Sequence, residues 1–482
     1  MTTPWFTRAR ESFWFLPTVC GVLAIALAFA LVEVDARLAD GSTAGLGFLD
    51  AISASGGRAL LGAIAGSILT VAATSFSITI SVMVTTSSTY GPRLVRNFMA
   101  DRANQAVLAV FTSTFLYALV VLRAVRSEED ERSAFVPVIA VNVAVILAVA
   151  NVAVLVFFIH HIAQSVQVTT LQQKVRDELV AVVDQVYPEQ PSGAGSRAGS
   201  RAGSRAGSRA GSRAGSDDVP DGSDEDDRLR DVVPVVRADA QVVRATAAGY
   251  VQYLDLDGLA RLGRKYDVTV ALTVAPGTHL IPGAVLARVG DRHGEATDWD
   301  LDELDDLVDG VCDAISLGSS RTPYQDVAFA VRQLTEMAVR ALSPGTNDPY
   351  TAVSALDALS SGLVPVVRRA PAPRGRADAD AVTRVVVDWP TAEELVTDVL
   401  AAMRTYAVDA PVALDATVRL VERLADAAGR PAVQVAIAEQ VRLLCDAVRE
   451  GQPLPDVVDA VCGRLDTVRA SLVDQAPGAP ST

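Results

Sequence analysis

Lysine and cysteine are both scarce in this 482-residue chain. Lys174 and Lys265 are its only lysines, and the four cysteines lie far apart, without a Cys-x-x-Cys pair or a Cys/His spacing that binds zinc. We therefore expect free thiols and no metal site. Dinucleotide, phosphate-loop and hydrolase motifs are also missing, so no catalytic constellation is visible. We expect no cofactor and no enzymatic activity.

Net charge is absent from the first third of the chain. Residues 1–160 contain ten basic and ten acidic side chains, so residues 161–482 carry the whole net charge of −15. Binding to nucleic acid relies on clustered lysine and arginine to neutralise phosphates. The acidic balance of the larger part therefore argues against a nucleic-acid partner.

Long apolar runs are present in that first third. A bilayer core of ~30 Å is crossed by roughly 20 helical residues. Four stretches meet this length, at residues 13–32, 59–84, 106–122 and 135–159. The lipid bilayer is therefore the first predicted partner, and we expect a multi-pass protein of the cell (inner) membrane.

Basic residues in the short loops predict the orientation of these spans. Arg8 and Arg10 precede the first span, and Arg93 and Arg96 lie between the second and third. The loop between the third and fourth spans contains the acidic run at residues 128–131. We therefore expect both the N-terminus and the C-terminus to be cytoplasmic.

Composition divides the chain into five predicted segments. They are a transmembrane domain with four helices (1–165), a helical extension of the fourth span (166–188), a disordered AGSR-repeat and acidic linker (189–231), a small β-rich module (232–292) and a helical C-terminal domain (293–475). The linker is assigned because small polar residues bury too little surface to fold. The predicted fold class is an α-helical membrane protein with four transmembrane helices plus a cytoplasmic α+β region.

Short β-like runs separated by Pro-Gly turns define the β-rich module. Their spacing resembles the half-barrel sandwich of biotinyl and lipoyl carrier domains. No lysine stands at the carrier position, so the resemblance does not imply the carrier function.

The second span carries a stripe of hydroxyl side chains at spacings of three and four, which places them on one helical face. The stripe, our candidate pore lining, consists of Ser67, Thr70, Thr74, Ser77, Ser81, Thr85 and Ser88. Gly62 and Gly66 on the same helix indicate close backbone approach. Tight helix packing and a hydrated path both explain the stripe. No titratable group lies within it, which argues against a proton relay.

Two arginines follow the helix-breaking Gly91-Pro92 pair after the second span. Arg93 and Arg96 are explained either as an anchor on the cytoplasmic side or as a site for an anion or lipid headgroup at the membrane face.

A second polar group lies in the C-terminal region. Arg340 falls in the last turn of a predicted helix, where a cation is favoured, and the turn at Ser343-Pro344-Gly345 returns the chain towards that helix. We therefore predict a polar cluster, either a structural clamp or a binding site for a small ligand. Its predicted members are Gln325, Asp326, Gln333, Arg340, Asn347 and Asp348.

Several strings of the chain are distinctive: residues 88–98 (STYGPRLVRNF), Asn104-Gln105, residues 248–252 (AGYVQ), 321–329 (RTPYQDVAF) and, most of all, 340–352 (RALSPGTNDPYTA). Together they resemble one bacterial membrane-protein family, known as domain of unknown function 2254. The resemblance implies a membrane protein with this layout along nearly the whole chain, but the family name implies no activity.

The leading functional hypothesis is a homo-oligomeric channel or passive transport protein with a cytoplasmic regulatory domain. It rests on the hydroxyl stripe, and a homo-oligomer is expected because four spans alone rarely enclose a pore. The alternative is a membrane-anchored interaction or scaffold protein that recruits a cytoplasmic partner. The sequence leaves the solute or ion unknown.

Overall fold

The computed structural model describes residues 15–39, 53–90, 102–126, 135–165, 168–189, 234–296 and 300–475. The chain divides into two compact units, with the boundary between Leu171 and Gln172. Each unit is described by itself below.

Four long helices form the described part of the N-terminal unit. They are α1 (Phe15–Ala39), α2 (Ala54–Tyr90), α3 (Arg102–Ala124) and α4 (Val138–Ser165). Helix α3 packs against all three others, so it is the centre of this bundle. Its apolar core includes Leu61 and Ile64 of α2 together with Val107 and Phe111 of α3.

Polar contacts fix the ends of these four helices. The Asp35 carboxylate, near the end of α1, accepts hydrogen bonds from the main-chain N–H groups of Ile139 (3.0 Å) and Ala140 (2.9 Å) in the first turn of α4. Arg58, in the first turns of α2, donates to the main-chain oxygen of Val125 after α3 (3.0 Å). The end of α1 therefore lies beside the start of α4, and the start of α2 lies beside the end of α3.

The C-terminal unit begins in a helix, α5 (Val168–Val186), and continues through two sheets. The strands are β1 (Gln241–Arg244), β2 (Gly249–Leu254), β3 (Val268–Leu272), β4 (His279–Leu280), β5 (Val285–Asp291), β6 (Ile315–Gly318), β7 (Gly375–Ala377) and β8 (Thr383–Val386). One sheet has the order β1-β5-β3-β8-β7, and the other has the order β4-β2-β6. Strands β3 and β8 run parallel, whereas the other pairs are antiparallel.

The sheets extend beyond the predicted β-rich module. Five strands come from residues 232–292, and β6, β7 and β8 come from further along the chain. A helix, α6 (Leu256–Lys265), separates β2 from β3 and packs against β3 and β8. The expected likeness to a carrier half-barrel is therefore wrong, because distant strands complete these sheets and a helix covers one of them. The boundaries of the predicted module remain a prediction.

Helices make up the rest of this unit. They are α7 (Leu301–Asp313), α8 (Val327–Ala341), α9 (Pro349–Arg368), α10 (Ala392–Tyr406), α11 (Pro411–Ala427), α12 (Pro431–Gly451) and α13 (Pro455–Gln475). Four of them begin with proline, which suits the first helical position because no N–H is needed there. Helix α8 packs against α9 and α10, and α9 packs in turn against α11.

Helix α5 belongs to the packing of the C-terminal unit from Gln172 onward. Leu179 and Val183 are buried, and a Cβ on Gly362 of α9 would collide with the Leu179 side chain. Gln172 also donates a hydrogen bond to the main-chain oxygen of Thr351 (3.0 Å). The contact between Leu179 and Gly362 therefore packs α5 closely against α9.

Five helices among the described residues are long and apolar enough to cross a membrane, judged by length and composition. Four of them are α1 to α4, and the fifth is α9. The expectation of apolar helices followed by a C-terminal α+β region is confirmed. The exact number of four membrane helices stays a prediction.

Candidate functional site

The hydroxyl stripe lies on the outer face of α2. Leu61, Ile64, Ala65 and Ile68 are buried against the bundle. The stripe residues whose side chains the structure describes are all exposed on this single chain: Ser67, Thr70, Thr74, Ser77 and Ser81. Thr85 and Ser88 also lie in α2, but their side chains fall outside the description.

Hydrogen bonds within α2 explain how an apolar helix carries this face. Ser67 donates to the main-chain oxygen of Ile64 (3.1 Å), Thr70 to that of Gly66 (2.9 Å) and Thr74 to that of Thr70 (2.9 Å). Each of these three hydroxyls therefore has an acceptor within its own helix. Its oxygen can still accept a hydrogen bond from outside.

Gly62 and Gly66, which were predicted to allow close backbone approach, are also exposed on the outer surface of α2. A Cβ built on Gly62 or on Gly66 would meet no atom within 4 Å. Within the described part of the N-terminal unit, no other helix fills the groove that these glycines leave.

The bundle interior contains polar side chains that the sequence reasoning did not select. Asn151 donates to the Thr114 hydroxyl (2.9 Å), and Thr79 donates to the main-chain oxygen of Ser75 (2.9 Å). Asn104 is 4 % exposed, and neither polar atom of its carboxamide has a hydrogen-bond partner among the described residues. The signal in the sequence is the position of this asparagine in a mostly apolar helix.

Arg93 and Arg96 lie outside the described residues, so both interpretations of this pair remain predictions.

The predicted polar cluster is divided between the two ends of α8. Asp326 caps the start of α8, where its carboxylate accepts from the main-chain N–H of Phe329 (2.9 Å). Arg321 donates two hydrogen bonds to the same carboxylate (2.7 and 2.8 Å). The neighbouring Gln325 side chain instead pairs with the main chain of Leu254 at 2.8 and 3.2 Å.

Arg340, Asn347 and Asp348 lie at the other end, after 15 helical residues that rise by about 22 Å. Asp348 caps α9 and accepts from the N–H (3.1 Å) and the hydroxyl (2.6 Å) of Thr351. No ion pair joins Arg340 to Asp348 within the described part of the chain. Gln333 lies between the two groups and is buried, and its side-chain oxygen has no hydrogen-bond partner in the described part of the chain. The prediction that all six residues converge is therefore wrong, because the length of α8 separates its two caps.

A cavity of about 330 Å³ lies elsewhere in the C-terminal unit, and sequence reasoning missed it. The residues that line it and bear on its chemistry are Tyr187, Arg374, Asp388, Trp389, Glu394 and Arg430. Burial raises the pKa of the Tyr187 phenol well above its ordinary value, and the negative charge of Glu394 adds to the rise. Tyr187 is therefore a neutral donor, and its hydroxyl bonds to the main-chain oxygen of Pro390.

These features define a helical membrane protein with a C-terminal α+β unit. The chain belongs to the family described as "Predicted membrane protein (DUF2254)", which matches residues 10–425. The resemblance stated from the sequence strings is thereby confirmed.

Three relatives align with this chain over 424 residues, which is 87 % of the length of this chain and 73 % of the length of each relative. Uncharacterized proteins of Mycobacterium bovis and of Mycobacterium tuberculosis H37Rv are each 29 % identical to it, and one from M. tuberculosis CDC 1551 is 28 % identical. No solved structure matches the chain.

Proposed function

We propose that this protein is a homo-oligomeric channel or passive transport protein of the cell membrane, regulated by a cytoplasmic C-terminal unit. The observation that carries the proposal is the outer face of α2. Five described hydroxyls and two glycines lie on this face beside exposed apolar side chains such as Leu69 and Ile78, whereas the opposite face is buried against the chain's own bundle. A path lined by these hydroxyls therefore needs further copies of the chain around it.

The shape and polarity of that face favour assembly. Small residues let helix backbones approach closely in a membrane, and the groove at Gly62 and Gly66 is open on the single chain. Hydroxyls facing a central axis would supply oxygen atoms to a hydrated solute, whereas facing lipid they would contribute little. An assembly with several copies of α2 around one axis would combine close helix packing at the glycines with a path lined by hydroxyl oxygens.

Four membrane spans are proposed rather than five, because α9 behaves as a core helix. In the most apolar stretch of α9, 56 % of the residues are buried, compared with 17–39 % in the corresponding stretches of α1 to α4. Asp357, midway along α9, pairs with Arg423 (2.7 Å), and helices of the same unit pack on both sides. The charged side chain and the burial of the helix within its own unit favour a place in the core of a water-soluble domain over a place in the bilayer.

The proposed orientation places both termini in the cytoplasm, as the loop charges favour. Single cysteines at Asp50 and Glu129 should then react with an impermeant reagent in intact cells, whereas cysteines at Arg96 and Asp226 should not. Labelling in the reverse pattern would place the C-terminal unit outside and remove the cytoplasmic regulation.

Flux through vesicles that contain the purified full-length protein tests the function. Potassium and chloride flux above that of empty vesicles, lowered by Thr74→Leu with unchanged assembly, supports a channel. A well-assembled protein that passes neither ion, with Thr74→Leu indistinguishable from wild type, contradicts it and favours the scaffold alternative.

A further inference from the structure

The cavity beside Tyr187 has the dimensions of a small-molecule site. Its volume of about 330 Å³ lies within the range of roughly 300–1,000 Å³ that is usual for ligand pockets. A second cavity of about 350 Å³ adjoins it, and Trp389 lines both. The Trp389 indole N–H donates to the main-chain oxygen of Pro373 (3.2 Å), which fixes the ring between the two spaces.

Arg430 is the under-partnered charge of the first cavity. Its one ion pair among the described residues is with Glu393, at 3.5 Å. Its Nε is buried without a hydrogen-bond acceptor. A guanidinium offers five N–H donors, so most of the donor capacity of Arg430 is unused by the protein.

The other charges that line the cavity have close partners. Arg374 pairs with Asp388 at 2.5 Å, and Glu394 accepts from the main-chain N–H of Thr391 at 2.9 Å. This capping box satisfies two of the four N–H groups at the start of α10. Ala392, the first residue of α10, also lines the cavity, so the positive end of the helix faces the same space as Arg430.

We propose that this cavity binds a small organic acid, with one carboxylate on Arg430 and a flat apolar body against Trp389. A carboxylate matches the planar fork of a guanidinium in geometry and charge. Two arginines and two carboxylates line the cavity, so a single negative charge suits it better than the double charge of a phosphate. The ring of Trp389 and the buried ring of Tyr187 supply apolar surface for the body of the ligand.

The position of the cavity gives the ligand a regulatory role, and this role rests on the proposed function. Tyr187 follows directly after α5, and Gln185 and Val186 at the end of α5 line the second cavity. Helix α5 begins at Val168, soon after α4 ends at Ser165. A ligand that reaches Tyr187 therefore contacts the segment through which the C-terminal unit continues from the last membrane helix.

Fluorescence of Trp389 tests binding without any measurement of flux. The other three tryptophans (Trp5, Trp14 and Trp299) are changed to phenylalanine in the full-length protein, which is purified in detergent. Benzoate is the probe, benzamide is its uncharged counterpart, and inorganic phosphate is the competing anion. We expect benzoate to change the Trp389 emission with saturation and benzamide to bind about tenfold more weakly or worse.

Arg430→Gln should weaken benzoate binding by about tenfold or more, and Arg430→Lys should weaken it while the fold is kept. The matched control is Arg442→Gln on α12, which lies on the surface among Glu439 and Asp446 and should change nothing. The proposal is overturned if benzoate at millimolar concentration has no effect, if benzamide binds equally, if phosphate displaces benzoate at equal concentration, or if neither Arg430 variant alters binding. A saturable benzoate site in a protein without flux would overturn the channel and leave the site in place.

Discussion

Arg321 holds the carboxylate of Asp326 with two parallel hydrogen bonds, from Nε at 2.7 Å and from Nη2 at 2.8 Å. The two side chains are only 13 % and 2 % exposed. A Cβ on Gly277, whose φ of +88° already favours glycine, would collide with this carboxylate. The pair is therefore an enclosed clamp between the turn at Gly277 and the start of α8.

Asp326→Asn should lower the free energy of unfolding by about 3–5 kcal/mol, because removal of one partner leaves the other charge buried and uncompensated. Asparagine keeps the size of aspartate and can still cap α8, so the loss reports the ion pair. Asp357→Asn is the control, since its pair with Arg423 is half exposed and should contribute less than about 1 kcal/mol. Equal melting temperatures for the two variants would contradict the clamp.

The far end of α8 should respond differently. Asp348→Ala should cost about 1 kcal/mol, because it removes the cap of α9. Arg340→Lys should stay within about 0.5 kcal/mol of wild type, because no described ion pair needs its planar fork. These values are measured by chemical denaturation of the purified protein. A loss for Arg340→Lys as large as that for Asp326→Asn would restore the clamp predicted at this turn.

Periodicity and hydropathy were sufficient to locate the apolar helices. The predicted first span ends at residue 32, whereas α1 continues to Ala39. The reason is polar: Arg37 pairs with Glu33 one turn earlier (3.0 Å), and Asp35 caps α4. Charged residues lower the mean hydropathy, so the predicted span ends before them, although here they extend the helix and join it to α4.

Pairings between distant residues could not be predicted from local patterns. Strand β8 is 4 residues long and joins β3 across more than a hundred positions. In the polar cluster, nothing local showed that Arg321 would bind Asp326. The cavity at Arg430 was hidden for the same reason, since its walls come from three separate regions of the chain.

The interior of the membrane bundle supplies a further prediction. Asn104→Leu should leave stability unchanged or raise it by about 1–3 kcal/mol, because the substitution removes a buried carboxamide without partners. Asn151→Leu is the contrasting variant and should destabilise the protein, because Asn151 donates to Thr114 and to the main chain of Leu147. Thermal unfolding in detergent compares the two variants. Strong destabilisation by Asn104→Leu would show that the carboxamide is bonded in the folded protein.

Glu178 on α5 predicts a pH dependence. Burial raises the pKa of this carboxyl above its ordinary value, although the charge of Lys174 opposes the rise, and one of its oxygens is buried without a partner. The ionised form is therefore disfavoured in the folded protein, so stability falls as pH rises through the raised pKa and this penalty is absent below the ordinary value.

Glu178→Gln should consequently raise the melting temperature at neutral and higher pH, with the difference shrinking as the pH falls towards 4. Asp177→Asn is the control, because its side chain is largely exposed beside Arg176. A difference between Glu178→Gln and wild type that does not change with pH would contradict this assignment.

If the hydroxyl face of α2 borders water in the assembled protein, a cysteine in place of Thr74 should react with hydrophilic reagents. The four native cysteines are first replaced, and Thr74→Cys is compared with Leu69→Cys, which is also exposed on α2 but lies off the stripe. In vesicles, a small hydrophilic thiol reagent should modify the cysteine at position 74 rapidly and reduce ion flux, while the cysteine at position 69 stays unreactive in lipid. If the cysteines at both positions are unreactive in a protein shown to be folded and assembled, the hydroxyl face of α2 does not border water.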